Sequence, residues 1–200
     1  MSENENTQNK FISDRTRMVA IIIGALIVVL LGANLFTRGG STNGNSKVVF
    51  TPVSTTVAPL SPVAELVNQA VLLVRSGQYD TALSVLDKAI ATDPNYGLIY
   101  YNQGVARQFT NKIAEAVDSY TKALTFNNAD SNSYYNRGLA LRDLGKLAEA
   151  EADLRVAVSL DAKWAAAKFN LGNVLVSLGK KSEGEKLIAD AKTLDSSLGK

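Results

Sequence analysis

Small residues return at a fixed interval of 34 along the C-terminal two-thirds of this chain. Units begin at Val63, Gly97, Ser131 and Ala165, and the fourth ends at Leu198 with no insertion between them. The sixth position of each unit is Asn68, Asn102, Asn136 and Asn170. The eighth is Ala70, Gly104, Gly138 and Gly172, and the twentieth is Ala82, Ala116, Ala150 and Gly184. The twenty-seventh is alanine throughout: Ala89, Ala123, Ala157 and Ala191. A period of this length limits the fold severely. Each unit is a single supersecondary element, and it buries its faces only by stacking on its neighbours.

Within each unit, two apolar patterns at helical spacing are joined near the fifteenth position by Gly77, Asn111, Gly145 or Gly179. Glycine and asparagine tolerate the left-handed backbone that ends a helix. The small columns let two helix backbones approach closely. Leu86, Tyr120, Leu154 and Ile188, at position twenty-four, fill the space between them. The expectation is an all-α fold of four helix–turn–helix units spanning residues 63–96, 97–130, 131–164 and 165–198.

This pattern resembles the tetratricopeptide repeat family. The motif comprises a small residue at position eight, Ala at twenty, an aromatic or Leu at twenty-four and Ala at twenty-seven. Tyr100 to Gly104, Tyr134 to Gly138 and Phe169 to Asn173 look typical of the family, and Asp93-Pro94 supplies its helix-ending proline. Asn128, Ala162 and Ser196 depart from that proline, and Gly184 departs from alanine, weakening the last helix by about 1 kcal/mol. The last unit is therefore expected to fray most, although its many charges suit a terminal cap.

The resemblance implies a right-handed α-solenoid whose first helices line a concave groove. Positions two, five, nine and twelve would face it: Leu98, Tyr101, Val105 and Gln108, then Asn132, Tyr135, Leu139 and Arg142, then Ala166, Phe169, Asn173 and Val176. Tyr101, Tyr135 and Phe169 form an aromatic row, and aromatic residues recur at binding hot spots. The same spacing also fits core packing between repeats. Replacing Tyr101 and Tyr135 by Ala is expected to weaken partner capture with the domain still folded. The sixth-position asparagines are expected to bond adjacent repeats, and Trp164 to pack at a repeat junction. Some family members grip peptide carboxylates with a Lys, Asn and Arg set. The matching positions here are Val67, Val71, Asn102, Asn132 and Asn136, which retain only the middle Asn.

The N-terminal third differs. Residues 1–17 are polar and Asn-rich, and are expected to be disordered. Met18–Phe36 contains no charge; as a helix it would span roughly 28 Å at about 1.5 Å per residue, close to the ~30 Å hydrocarbon core of a bilayer. It is longer than the apolar core of a cleaved signal peptide, and Gly32-Ala33-Asn34 is a poor cleavage site, so it reads as an uncleaved transmembrane helix. Lys10, Arg15 and Arg17 precede it, while Arg38 and Lys47 follow. That asymmetry places the N-terminus in the cytoplasm and the repeats outside. Residues 37–62, rich in Gly, Ser, Thr and Pro, read as a flexible linker.

Function classes follow by exclusion. With no Cys and no His, thiolate and imidazole chemistry are absent, and no catalytic residue, cofactor or metal site is expected. Val63 to Lys200 carries 16 charges of each sign, which disfavours nucleic acid. The carboxylates are scattered over helix faces rather than gathered at a site. The expected function is a membrane-anchored scaffold binding a protein or peptide. Self-association through the ends of the stack is one alternative, and an enzyme or cell-envelope biogenesis factor is another. The sequence leaves the oligomeric state open.

Overall fold

In the computed structural model, which describes residues 60–199, eight helices follow one another. They are α1 (Pro62–Arg75), α2 (Tyr79–Thr92), α3 (Leu98–Phe109), α4 (Ile113–Phe126), α5 (Ser131–Asp143), α6 (Leu147–Leu160), α7 (Ala165–Ser177) and α8 (Lys181–Leu194). The tail over 1–17, the apolar run Met18–Phe36 and the linker as far as residue 59 lie outside the described residues. Among the described residues, no helix is long and apolar enough to cross a membrane. Helix α1 starts at Pro62, inside the stretch read as linker, because Ser61 caps it and proline suits a first helical turn.

The helices pair as four hairpins, and all four turns share one geometry. Gly77, Asn111, Gly145 and Gly179 have φ of 77°, 62°, 76° and 80°. In each turn two successive amides reach back to the ending helix. In the first, Gly77 N–H donates to Val74 O at 3.0 Å and Gln78 N–H to Leu73 O at 2.9 Å. Arg107 and Gln108, Leu141 and Arg142, and Leu175 and Val176 accept in the same way in the others. This is a Schellman closure, which satisfies carbonyls left over at a helix end. Asn111 is the one side-chain-bearing residue among the four. Asn111→Gly should therefore raise the domain's stability by up to about 1 kcal/mol, read as a higher thermal midpoint.

The second helices also end in register, at Thr92, Phe126, Leu160 and Leu194. The missing prolines do not alter this. Asp93, Asn127, Asp161 and Asp195 leave the helix in extended backbone, and each accepts the amide two residues on, at 2.9 to 3.1 Å. The short polar side chain stops the helix where proline would otherwise do so.

Between the paired helices lies the core. Leu86, Tyr120 and Leu154 are fully buried at position twenty-four, against the small columns Ala82, Ala116, Ala150 and Ala89, Ala123, Ala157. The helical glycines mark where the paired helices pack most closely. A methyl group at Gly104 would lie 2.5 Å from Tyr120 Cε1. Gly184 proves to be a packing residue rather than only a weak helix former. A methyl there would meet Gly172 O at 2.6 Å and Val176 N at 3.0 Å, so α7 and α8 touch backbone to backbone and alanine has no room. At the end of the chain Leu198 is buried, and Gly199 lies beside Phe169.

Between hairpins, each first helix packs on the preceding second helix and also touches the preceding first helix. The second helices of successive units make few such contacts. The stack is thus drawn tighter on the first-helix side.

Candidate functional site

The inner layer of first helices carries the expected groove positions, and the structure divides them into two groups. Val105, Gln108, Tyr135 and Leu139 are buried. Leu98 is 53% exposed. Tyr101, Asn132, Arg142, Phe169 and Asn173 are half-buried. Ala166 is half-buried as well and Val176 is 38% exposed, so eight of the twelve expected residues reach solvent and four serve the interior.

The aromatic row explains the division. Asn136 Nδ2 donates to Tyr101 Oη at 3.1 Å, and Asn170 Nδ2 donates to Tyr135 Oη at 3.0 Å. In both, the position-five tyrosine of one unit meets the position-six asparagine of the next. The first unit has Val67 in place of tyrosine, and Asn102 bonds Leu98 O of its own helix at 2.8 Å, as Asn170 also bonds Ala166 O at 2.9 Å beside its tyrosine. Asn68 has no preceding unit and stays exposed. Asn136 and Asn170, two of the four asparagines, therefore stitch adjacent repeats together. The tyrosines they bond are half of the same stitch.

Position thirty-four closes over these tyrosines. The Trp164 ring lies 4.5 Å from that of Tyr135. Asp130 holds the equivalent place near Tyr101. Burial, and secondarily the Asp130 charge, push the Tyr101 hydroxyl well above the usual phenol range, so it remains neutral. Tyr101 also packs at 6.0 Å on Tyr120, whose hydroxyl donates to Gln108 Oε1 at 2.9 Å. Replacing Tyr101 and Tyr135 by Ala would open cavities and leave Asn136 without its hydroxyl partner, while Asn170 keeps Ala166 O and Arg142, at a cost of several kcal/mol. Such a variant therefore changes the stability of the stack as well as its inner face.

Arg142 reaches across the same seam. Its Nη1 donates to Asn170 Oδ1 at 2.9 Å, while Nε and Nη2 pair with Asp143 Oδ1. On the opposite side of the first helices, Arg137 forms a fork on Asp153 at 2.7 and 2.8 Å and donates to Thr121 of the preceding unit at 3.0 Å. Farther out, Glu151 joins Lys180 and Arg155, and Arg155 also joins Glu183. Hydrogen bonding from Lys180, then from Arg155, holds the Glu151 carboxyl below the usual range. Among the described residues every buried side-chain nitrogen or oxygen has a partner. No group of three or more His, Cys, Asp or Glu residues there could hold a metal ion.

Comparison with known proteins agrees with this geometry. Residues 67–132 and 119–152 each match a tetratricopeptide repeat family profile. Tetratricopeptide repeats are therefore present in the chain. Among solved structures, a crystal structure of MamA is similar at 20% identity, over 68% of this chain and 80% of that one, with a TM-score of 0.64. MamA from residue 41 to its end, from Desulfovibrio magneticus RS-1, is similar at 22% identity over 69% and 78%, with a TM-score of 0.62. The first tetratricopeptide domain of Spaghetti (RPAP3), bound to the HSP90 peptide SRMEEVD, is similar at 25% identity over 58% and 93%, with a TM-score of 0.57. No curated protein sequence matches the chain. The fold is consistent with a protein-interaction scaffold.

Proposed function

We propose that this protein is a single-pass membrane-anchored adaptor, without catalysis of its own, that holds an extended peptide segment of a partner protein against its first helices. In this reading Met18–Phe36 is the anchor, the N-terminus is cytoplasmic and the repeats lie outside. The observation that carries the binding reading is Leu98. It is a large apolar side chain left 53% exposed on the inner helix layer, next to half-buried Tyr101 and in line with Asn132, Phe169 and Asn173. A rigid apolar anchor beside adaptable amides suits peptide capture. The likeness to a peptide-bound tetratricopeptide domain supports the same mode.

The ligand differs from a carboxylate-terminated tail. Of the five matching positions, Val67 and Val71 are buried apolar side chains and Asn102 and Asn136 are engaged within the fold, so only Asn132 reaches solvent and no cationic group stands at any of them. Affinity capture from membranes tests the reading, using the full chain and a variant combining Leu98→Asp with Asn173→Asp. Both sites reach solvent, so the variant should keep its helical circular dichroism. Partners captured by the parent chain should drop at least about tenfold, the effect of ~1.4 kcal/mol. Undiminished capture would remove the first-helix face as the binding surface.

Self-association through the ends of the stack is the second reading. It is favoured by Leu72, 62% exposed at a position where Ala106, Ala140 and Val174 are buried in later units. At the other end Phe169 has no hydroxyl for Asn68 of a second copy to bond. Sedimentation of the full chain in detergent over a concentration series separates the two readings.

A further inference from the structure

The eight large apolar side chains left exposed among the described residues are unevenly distributed. Each hairpin is antiparallel, so the starts of the first helices and the ends of the second helices share one edge of the stack. Leu60, Leu98, Phe126, Leu160 and Leu194 all sit on that edge, at 54%, 53%, 39%, 44% and 49% exposure. Phe126, Leu160 and Leu194 are the last residues of successive second helices, one per unit. Only Leu72, Leu144 and Val176 are exposed elsewhere.

The charge on this edge is balanced. The carboxylates of Asp93, Asp161 and Asp195 each hold a backbone amide. Lysines stand among them, and Lys122 lies 5.5 Å from the Phe126 ring centroid, with Phe126 itself stacked on Tyr100. A lysine over an apolar ridge can keep its stem on the ridge and its ammonium in water, as side chains do at a lipid interface. Neither sign dominates, so the surface suits zwitterionic headgroups rather than a strongly anionic partner.

The chain enters the fold at this same edge, through Leu60. Only residues 37–59 separate Leu60 from the apolar run Met18–Phe36, and 23 residues reach no more than about 80 Å even when fully extended. A fold tethered within that distance meets the bilayer at high effective concentration, so a modest apolar contact suffices to hold it there. We propose that the edge bearing Phe126, Leu160 and Leu194, the last residues of the second helices, rests on the lipid surface, seating these three side chains among zwitterionic headgroups and leaving Leu98, on the first-helix layer, to the peptide. This inference rests on the anchor reading above.

The chain supplies its own reporter. Trp164 is its only tryptophan, and it lies on this edge between α6 and α7. The full chain, reconstituted into phosphatidylcholine vesicles, is compared with vesicles of brominated phosphatidylcholine, which quench indole fluorescence at close range. Flotation of the vesicles reads the anchor separately. The expected result is flotation together with a bromine-dependent loss of Trp164 emission that high salt does not reverse. Leu160→Ser combined with Leu194→Ser should abolish the quenching while flotation persists; both residues are exposed, so the fold should survive. Flotation without quenching would overturn the edge proposal and leave the anchor standing. Quenching that survives the double variant, or that salt reverses, would also overturn it. Failure to float would overturn both.

Discussion

Gly104→Ala should destabilise the repeat domain by about 1–3 kcal/mol, even though alanine is the better helix former by roughly 1 kcal/mol. The added methyl would sit 2.5 Å from Cε1 and 2.8 Å from Cζ of Tyr120, a ring with no exposed surface. The first unit shows the other solution to the same contact: Ala70 faces Leu86, and both are fully buried. Combining Gly104→Ala with Tyr120→Leu copies that pair. Tyr120→Leu alone leaves buried Gln108 without the hydroxyl it bonds, at a cost of about 1–3 kcal/mol. The double variant should lose at least about 1 kcal/mol less than the sum of the single variants. Thermal or urea unfolding of the four proteins measures the coupling, and strict additivity would mean that Gly104 and Tyr120 do not compete for one space.

Asp153→Ala should cost about 2–3 kcal/mol. The carboxylate accepts two hydrogen bonds from Arg137, and the side chains are 9% and 20% exposed, so removing it strands a largely enclosed guanidinium. The Asp153 hydrogen bond is also the main cause that raises the Arg137 pKa above its ordinary value. The figure lies below the 3–5 kcal/mol of a fully buried pair because water still reaches the arginine. The fourth unit again supplies the control. It places Leu171 and Leu187 at the two equivalent positions, and Leu171 is buried. Arg137→Leu with Asp153→Leu should recover most of the loss, since an apolar pair of fitting volume often matches a buried ion pair. Equal loss in the single and double variants, measured by unfolding, would show that the pair itself supplies the stability.

The hairpins were legible because their determinants are local. Gly77, Asn111, Gly145 and Gly179 announce the turns, and Gly104 and Gly138 the close approaches. The seam was only half legible. The Asn column and the aromatic row are both visible in the sequence, but their pairing with one another is not. The partners Tyr101 and Asn136 lie 35 residues apart, one period plus one, an offset that appears only when neighbouring units are compared. For the same reason Val105, Gln108, Tyr135 and Leu139 passed for groove residues. Helical periodicity puts them on the inner face, but whether a neighbouring helix covers that part of the face depends on how tightly the first helices stack. Gly172 and Gly184 both stand in the small columns that mark close approach, but the sequence does not show that the two meet backbone to backbone, which is what leaves no room for alanine. Leu98 and Asn173 stay accessible, and these are the positions on which the binding reading now depends.

Site-directed photocrosslinking tests that reading most directly. A photoreactive side chain placed at Leu98 or Asn173 in the full membrane-bound chain should form adducts with the partner. The same group at Ser84 or Ala114, exposed on the second helices, should not. Adducts confined to the second-helix positions would contradict a binding face built on the first helices.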